Sequence, residues 1–314
     1  MSETLFGPFE KEPSPTEEFD VAADEVLNRL HELDPDGSET AQVFRTTFDQ
    51  LYDGQHTGRY KVDQLFKTEK THFGTLIEIN LQRRFGFQDG TTLDYKIAGH
   101  EVDCKYSHTG GWMLPLESYD QLVIVTQADD LTSTWSMGVV RVSEKNRRTS
   151  SNRDRKTGLN KYGRQQIIWL HDRAEMPPNA LLKLTPSTVD HIMKQSSGQK
   201  RVNELFRQAQ NHRLTRNVIA TVAQQDDFMK RVRHNGGARS ILGAEGYLIL
   251  GGDYSIQRNT AAALKAQVPH RGEFVCVRVA RSSDPSDALI NGENWRIATE
   301  NDVVPEAVPI LPAK

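Results

Sequence analysis

The chain has 314 residues, with 39 Lys and Arg against 42 Asp and Glu for a formal charge of −3, and two cysteines. A mean hydropathy of −0.60 and apolar runs no longer than a strand, such as Gln121–Val125 and Tyr247–Leu250, exclude the roughly 18-residue apolar segment a bilayer requires. Cys104 and Cys276 offer no zinc spacing and suit a reducing cytoplasm, and the acidic N-terminus lacks the basic start and apolar block of a secretory signal.

The near-neutral total hides an uneven distribution. Residues 1–40 carry a net −10 and residues 282–314 a net −4, which leaves +11 on residues 41–281. A basic middle of this kind points to a polyanionic partner such as nucleic acid. Length predicts two domains, each large enough to bury a core.

Residues 1–19, with Pro8, Pro13 and Pro15 among acids, predict an extended or flexible lead-in. From Asp20 onward, Val26, Leu27 and Leu30 predict a first helix, and Phe44, Phe48, Leu51 and Tyr52 a second, with Asp34-Pro35-Asp36-Gly37 as the turn between them. Phe73, Leu76, Ile77 and Leu81 predict a third helix from about Thr71 to Phe85, ended by Gly86. The period then falls to two. Leu93–Ile97 and His100–Tyr106 flank Ala98-Gly99 and predict a hairpin, and Leu122–Val125 and Trp135–Val142 add strands, so the core is α/β. Lys145–Arg164 is basic and turn-rich, and His171–Asn179, containing Pro177-Pro178, predicts an interdomain linker. The expected domains are therefore 20–170 and 180–314. The second opens with helical patterning over Lys200–Ala209, Thr215–Gln224 and Asp226–Val232, and ends in a β-rich tail.

Chemistry concentrates in Leu93–Ser107. If Ala98-Gly99 is a two-residue loop, Asp94 faces Asp103 across the strand pair, and like charges so placed are destabilising unless neutralised. A divalent cation would neutralise them, and carboxylate oxygens suit Mg²⁺. Lys105 follows Asp103 by two and shares its face, where an ammonium can contact a phosphate and a water, with burial lowering its pKa toward proton transfer. Glu78, on the preceding helix, could supply a further carboxylate. The other reading makes Asp94 and Asp103 exposed strand residues neutralised by Lys96 and Lys105.

Glu on a helix, Asp at the start of a hairpin and Asp-x-Lys on its second strand resemble the PD-(D/E)xK nuclease core, although Leu93 stands where a Pro often precedes the first Asp. The likeness extends through DQLYDGQHTGR (Asp49–Arg59), KTEKTHFGTLIEINLQRRF (Lys67–Phe85), VDCK (Val102–Lys105), RVNELF (Arg201–Phe206), VIATVAQQDDFMKRVR (Val218–Arg233) and GGARSIL (Gly236–Leu242). Together these resemble the NaeI-type restriction endonucleases over most of the chain from about Leu33. The resemblance implies a mixed β-sheet core flanked by helices, with catalytic residues at Glu78, Asp94, Asp103 and Lys105, and Mg²⁺ on Asp94, Asp103 and Glu78. It further implies a bacterial homodimer that cuts a GC-rich palindrome such as GCCGGC, alongside a cognate methyltransferase. By the same likeness, 180–314 is an α+β domain with a helix-turn-helix like that of the catabolite activator protein, holding a second DNA copy as effector.

Thr215–Gly237 has the proportions of two short helices with a turn near Ala223–Asp226, which fits a helix-turn-helix or an ordinary helical pair with a solvated basic face. In the first case Arg216, Asn217, Lys230, Arg231, Arg233 and Arg239 face phosphates or base edges. Arg147, Arg148, Arg153 and Arg155 would contact the backbone or form a loop beside the DNA. Leu51-Tyr52-Asp53-Gly54 resembles a DNA-ligase motif, but Leu51 replaces its nucleophilic Lys, so it reads as a helix end followed by a turn. His72 and His108 have no His partner at helical spacing, and Gly251-Gly252-Asp253 lacks the rest of a dinucleotide fingerprint. The rival functions are a DNA-relaxing enzyme or recombinase, which needs a covalent link through Tyr52 or another tyrosine, and a non-catalytic DNA-binding regulator.

Overall fold

The structure is a computed structural model and describes residues 20–302 and 307–312. The expected acidic lead-in, 1–19, lies outside the described residues. In chain order come α1 (Val21–Leu33), α2 (Ser38–Tyr52), α3 (Gly54–Thr57), α4 (Lys67–Phe85), β1 (Gln88–Asp89), β2 (Tyr95–Ile97), β3 (His100–Tyr106), β4 (Leu122–Asp129), β5 (Thr134–Arg141), α5 (Lys161–Gln165) and β6 (Ile168–Glu175). They are followed by α6 (Pro186–Met193), α7 (Gly198–Gln208), β7 (Leu214–Thr215), α8 (Arg216–Ala223), α9 (Ala238–Gly243), β8 (Tyr247–Gly251), α10 (Ser255–Ala263), β9 (Glu273–Arg281), β10 (Ala288–Ile290) and β11 (Glu293–Ile297). Among the described residues no helix is long and apolar enough to cross a membrane.

The first helices start where short acids can cap them. The Asp20 carboxylate accepts from the Ala23 amide at 3.1 Å, and Arg141 grips it through Nε at 2.6 Å and Nη2 at 2.8 Å. Asp34 accepts from the Glu39 and Thr40 amides at 3.1 and 2.8 Å, and Gly37 takes the left-handed conformation in the turn between the helices. The third long helix begins four residues earlier than the apolar spacing predicts. There the Glu69 carboxylate turns back to accept from the Phe66 amide at 2.8 Å, a local cap that periodicity does not report.

The chain forms two compact units that interleave along the sequence. The first takes the described residues through Thr40, Glu78–Ala128 and Trp135–Ala174; the second takes Ala41–Ile77, Asp129–Thr134 and the chain from Glu175. Helices α2 and α4 thus begin in one unit and end in the other.

The first unit is built on a six-stranded mixed sheet in the order β1-β2-β3-β4-β5-β6. β1, β2 and β3 pair antiparallel, whereas β3 and β4 run parallel and need the crossover formed by residues 107–121. In register, Asp103 lies beside Val123 and Lys105 beside Val125, so these four share one face. On that face Val123 and Val125 pack with Trp112, Leu114, Val140, Val142, Leu159 and Ile167. His171–Glu175, expected to open a linker, is instead the second half of β6, an edge strand. An edge strand with solvent on one side carries the polar residues that made this stretch read as a connection.

The second unit pairs β9 antiparallel with β7, β8 and β11, and β11 with β10. One core joins α7, α8 and α9 to the sheet through Val202, Phe206, Ile219, Val222, Leu242 and Ile249; another closes around Leu250, Val275, Val277 and Trp295. The helix expected at Asp226–Val232 is a 3-10 turn, Phe228–Val232. Gln224 in the left-handed conformation stops α8, and the next α-helix, α9, starts only after Gly236-Gly237. Within this unit lies a buried ionic knot. Arg45 pairs with Asp130 and, at 2.8 Å, with Asp49, while the Tyr52 hydroxyl donates to Asp130 at 2.8 Å. The Arg45 and Asp130 side chains are 3% and 1% exposed.

Candidate active site

The β2–β3 turn has the register that two-residue loops impose. Ala98 and Gly99 both have positive φ, 51° and 87°, and the pairs Tyr95↔Val102, Lys96↔Glu101 and Ile97↔His100 follow. Asp94 therefore stands one place beyond Tyr95, on the side of Asp103. Its Oδ2 accepts from the Cys104 amide at 2.8 Å and from Lys105 Nζ at 3.3 Å. Lys105 Nζ also donates to Asp103 Oδ1, and Ser118, on the crossover, donates its hydroxyl to the other Asp103 oxygen. One ammonium thus bridges two facing carboxylates, and Lys96, exposed and paired in register with Glu101, makes no ion pair with either of them.

Electrostatics follow from this packing. Burial, then the hydrogen bond shared with Asp94, pushes the Asp103 carboxyl above its ordinary value. Burial acts the same way on Asp94, but the Asp103 hydrogen bond and the Lys105 ammonium outweigh it and leave Asp94 lowered. The expected lowering of Lys105 is not found. Burial does oppose its charge, yet the two carboxylates more than offset that and raise it, so Lys105 stands as a cation.

Glu78 occupies the first position of α4 that belongs to this unit. Its backbone carbonyl accepts from the buried Tyr95 hydroxyl at 2.7 Å, which fixes the helix against the hairpin. Burial first, and the Asp94 charge second, raise its carboxyl. Among the described residues, however, no three His, Cys, Asp or Glu side chains converge as a metal-holding group, so Glu78 does not join Asp94 and Asp103 at close range. The donor chemistry of the pair still fits Mg²⁺, which takes one or two carboxylates and leaves its remaining positions to water and phosphate oxygen. The pair also already accommodates a positive charge, that of Lys105.

Sequence reasoning missed Ser118, whose contact with Asp103 spans 15 residues, and Glu101. The Glu101 carboxylate accepts from the Thr91, Thr92 and Leu93 amides at 2.5, 2.9 and 2.9 Å, which holds the segment leading into Asp94 and lowers its pKa to about 2. Because the folded value lies below the ordinary 4.5, this anchor is present above pH 4.5 and is lost as pH falls through about 2. Glu101→Gln is expected to speed amide hydrogen exchange at Thr91–Leu93 at neutral pH. Unchanged exchange there would show that the carboxylate does not hold the loop.

Of the expected DNA contacts, Arg216, Lys230 and Arg233 are exposed in the second unit, with Arg216 paired to Asp253 at 2.8 Å. Three others turn inward. Asn217 bonds Asp49, Arg231 bonds Gln225 and Asp227, and Arg239 stacks 5.8 Å from the Phe274 ring centre and bonds Gln257. Arg153 and Arg155 are exposed in the first unit, whereas Arg147 is held by Asp120 and the Tyr119 ring.

The family model for restriction endonuclease NaeI matches residues 24–306. The type II restriction enzyme NaeI of Lentzea aerocolonigenes is 46% identical over 308 residues, covering 95% of this chain and 96% of that one. These matches define the class: type II restriction endonucleases, which are site-specific deoxyribonucleases. Within that class, the chain belongs to the NaeI restriction endonuclease family.

Proposed function

We propose that this chain makes double-strand cuts in DNA at a palindromic GC-rich site, working as a homodimer with Mg²⁺ held by Asp94 and Asp103. The observation that carries the reading is the pair of facing carboxylates bridged by Lys105 at the start of the β2–β3 hairpin. The cation, when bound, supplies Lewis-acid stabilisation of charge on the scissile phosphate. Ser118 and the Cys104 amide fix the carboxylates, Lys105 orients the attacking water and a phosphate oxygen as a cation, and Glu78 assists through water. In-line attack at phosphorus leaves a 5′-phosphate and a 3′-hydroxyl.

The second unit would bind a further DNA copy as effector. Supporting this are α7, β7, α8, α9 and the β8–β9 antiparallel pair, in the order of a winged helix-turn-helix with α9 in the recognition position. A covalent tyrosine mechanism has little support, because Tyr52 is buried and its hydroxyl is committed to Asp130. Purified protein incubated with plasmids and Mg²⁺, followed by end sequencing, should give one recurrent palindrome with 5′-phosphate ends. A plasmid with two sites should be cut faster than one with a single site, and site-containing oligonucleotide should stimulate the latter. Equal rates without stimulation would remove the effector role, and no cutting of any plasmid would remove the nuclease reading.

A further inference from the structure

Between β5 and β6 the chain makes a hairpin-like excursion that the proposed chemistry does not use. Its arms are tied by Arg148 N to Gly158 O at 2.9 Å and Asn152 N to Lys156 O at 2.8 Å. It is anchored to the chain before the crossover turn by a two-way pair, Leu114 N to Thr157 O at 2.8 Å and Thr157 N to Leu114 O at 2.9 Å. The Thr157 hydroxyl adds bonds to the Arg148 and Ser150 carbonyls, both at 3.0 Å. The excursion and Gly111–Met113 line an open cavity of about 270 Å³.

Three cations, Arg148, Lys156 and Arg164, line that cavity together with the hydroxyl and amide donors Ser150, Ser151 and Asn152. Among the described residues no carboxylate lines it and none of the three cations has an ion-pair partner. The nearest acid in sequence, Asp154, sits on the tip of the excursion, outside the lining. Neighbouring Arg147, by contrast, is spent on Asp120 and Tyr119. The cavity also lies on the catalytic face of the sheet. Its floor residues Trp112 and Leu159 pack with Val123 and Val125, the strand partners of Asp103 and Lys105.

We propose that this cavity seats one backbone phosphate of the DNA being cut, held by Arg148, Lys156 and Arg164. The proposal rests on the nuclease reading and names an interaction that this reading leaves open. An acid-free concavity lined by cations and polar donors focuses positive potential, and a phosphodiester offers the matching charge without the base edges that sequence readout would need.

The test is a salt titration of DNA affinity without divalent ions, so that nothing is cut. Arg148→Ala/Lys156→Ala/Arg164→Ala should reduce the magnitude of the slope of log K against log salt by about 0.9, the increment that one neutralised phosphate adds. Cognate and scrambled duplexes should weaken alike. With Mg²⁺, KM should rise while kcat at saturating DNA holds, and Arg148→Lys should keep the wild-type slope. An unchanged slope overturns the proposal, and so does a loss of affinity confined to the cognate duplex, which would mark a base-reading site. Since binding is read without cleavage, failure here is separable from failure of the nuclease reading, which shows instead as absent cutting by the wild-type protein.

Discussion

Lys105→Ala is expected to lower the single-turnover cleavage rate by about 10²–10³-fold, the range for removing one preorganised charge from a reacting centre. Affinity for uncut DNA should stay within a few-fold, because the Lys105 ammonium is engaged by Asp94 and Asp103 and is one charge in a region carrying a net +11. Lys105→Gln should behave like Lys105→Ala. Lys96→Ala should retain full activity, since Lys96 pairs in register with Glu101 and makes no ion pair with Asp94 or Asp103. The two lysines therefore separate the catalytic reading from simple charge balance on a strand. Full activity in Lys105→Ala would remove the residue from the chemistry, and equal losses in both variants would reduce the site to a balanced surface.

The second large effect is expected on stability. Asp130→Ala takes away the closest partner of a fully buried guanidinium and leaves the Tyr52 hydroxyl without its acceptor. Breaking a buried pair by deleting one member costs about 3–5 kcal/mol, because the remaining charge stays out of water. Asp49 holds Arg45 at 2.8 Å but cannot replace the Asp130 carboxylate, and among the described residues Arg45 Nε already has no hydrogen-bond partner. Chemical denaturation should show a lower midpoint at unchanged slope. Tyr52→Phe removes one hydrogen bond to a carboxylate, worth about 1.5–3 kcal/mol, and should fall between wild type and Asp130→Ala. A midpoint for Asp130→Ala equal to wild type would mean that solvent reaches the knot.

The parts of the site that were legible in sequence are those set by local geometry. A period of two and a two-residue turn placed Asp94 against Asp103 and put Lys105 on the same face, because strand register admits one answer once the turn is known. Ser118 and Glu101 were not legible. Each reaches its partner across a crossover or a strand, and no local spacing marks a serine or glutamate for that role. The state of Lys105 was misjudged for a related reason. Burial alone lowers a lysine, but two carboxylates within reach reverse the sign, and only the folded chain brings both within reach. In the second unit, basic residues counted as a DNA-facing set divide between surface and interior. Composition cannot distinguish Arg233, which is exposed, from Arg239, which lies against Phe274.

The interleaving of the two units bears on how such a protein can change over generations. Modules joined end to end can be exchanged by one recombination event at their junction. Here the chain passes between units at Thr40, Ile77, Ala128, Thr134 and Ala174, twice within a helix. No single crossover in the gene would hand one unit intact to another protein, so the sheet that bears the carboxylates and the unit that bears α8 and α9 are inherited together. Divergence of such a chain then proceeds by substitution within each unit rather than by exchange of either one.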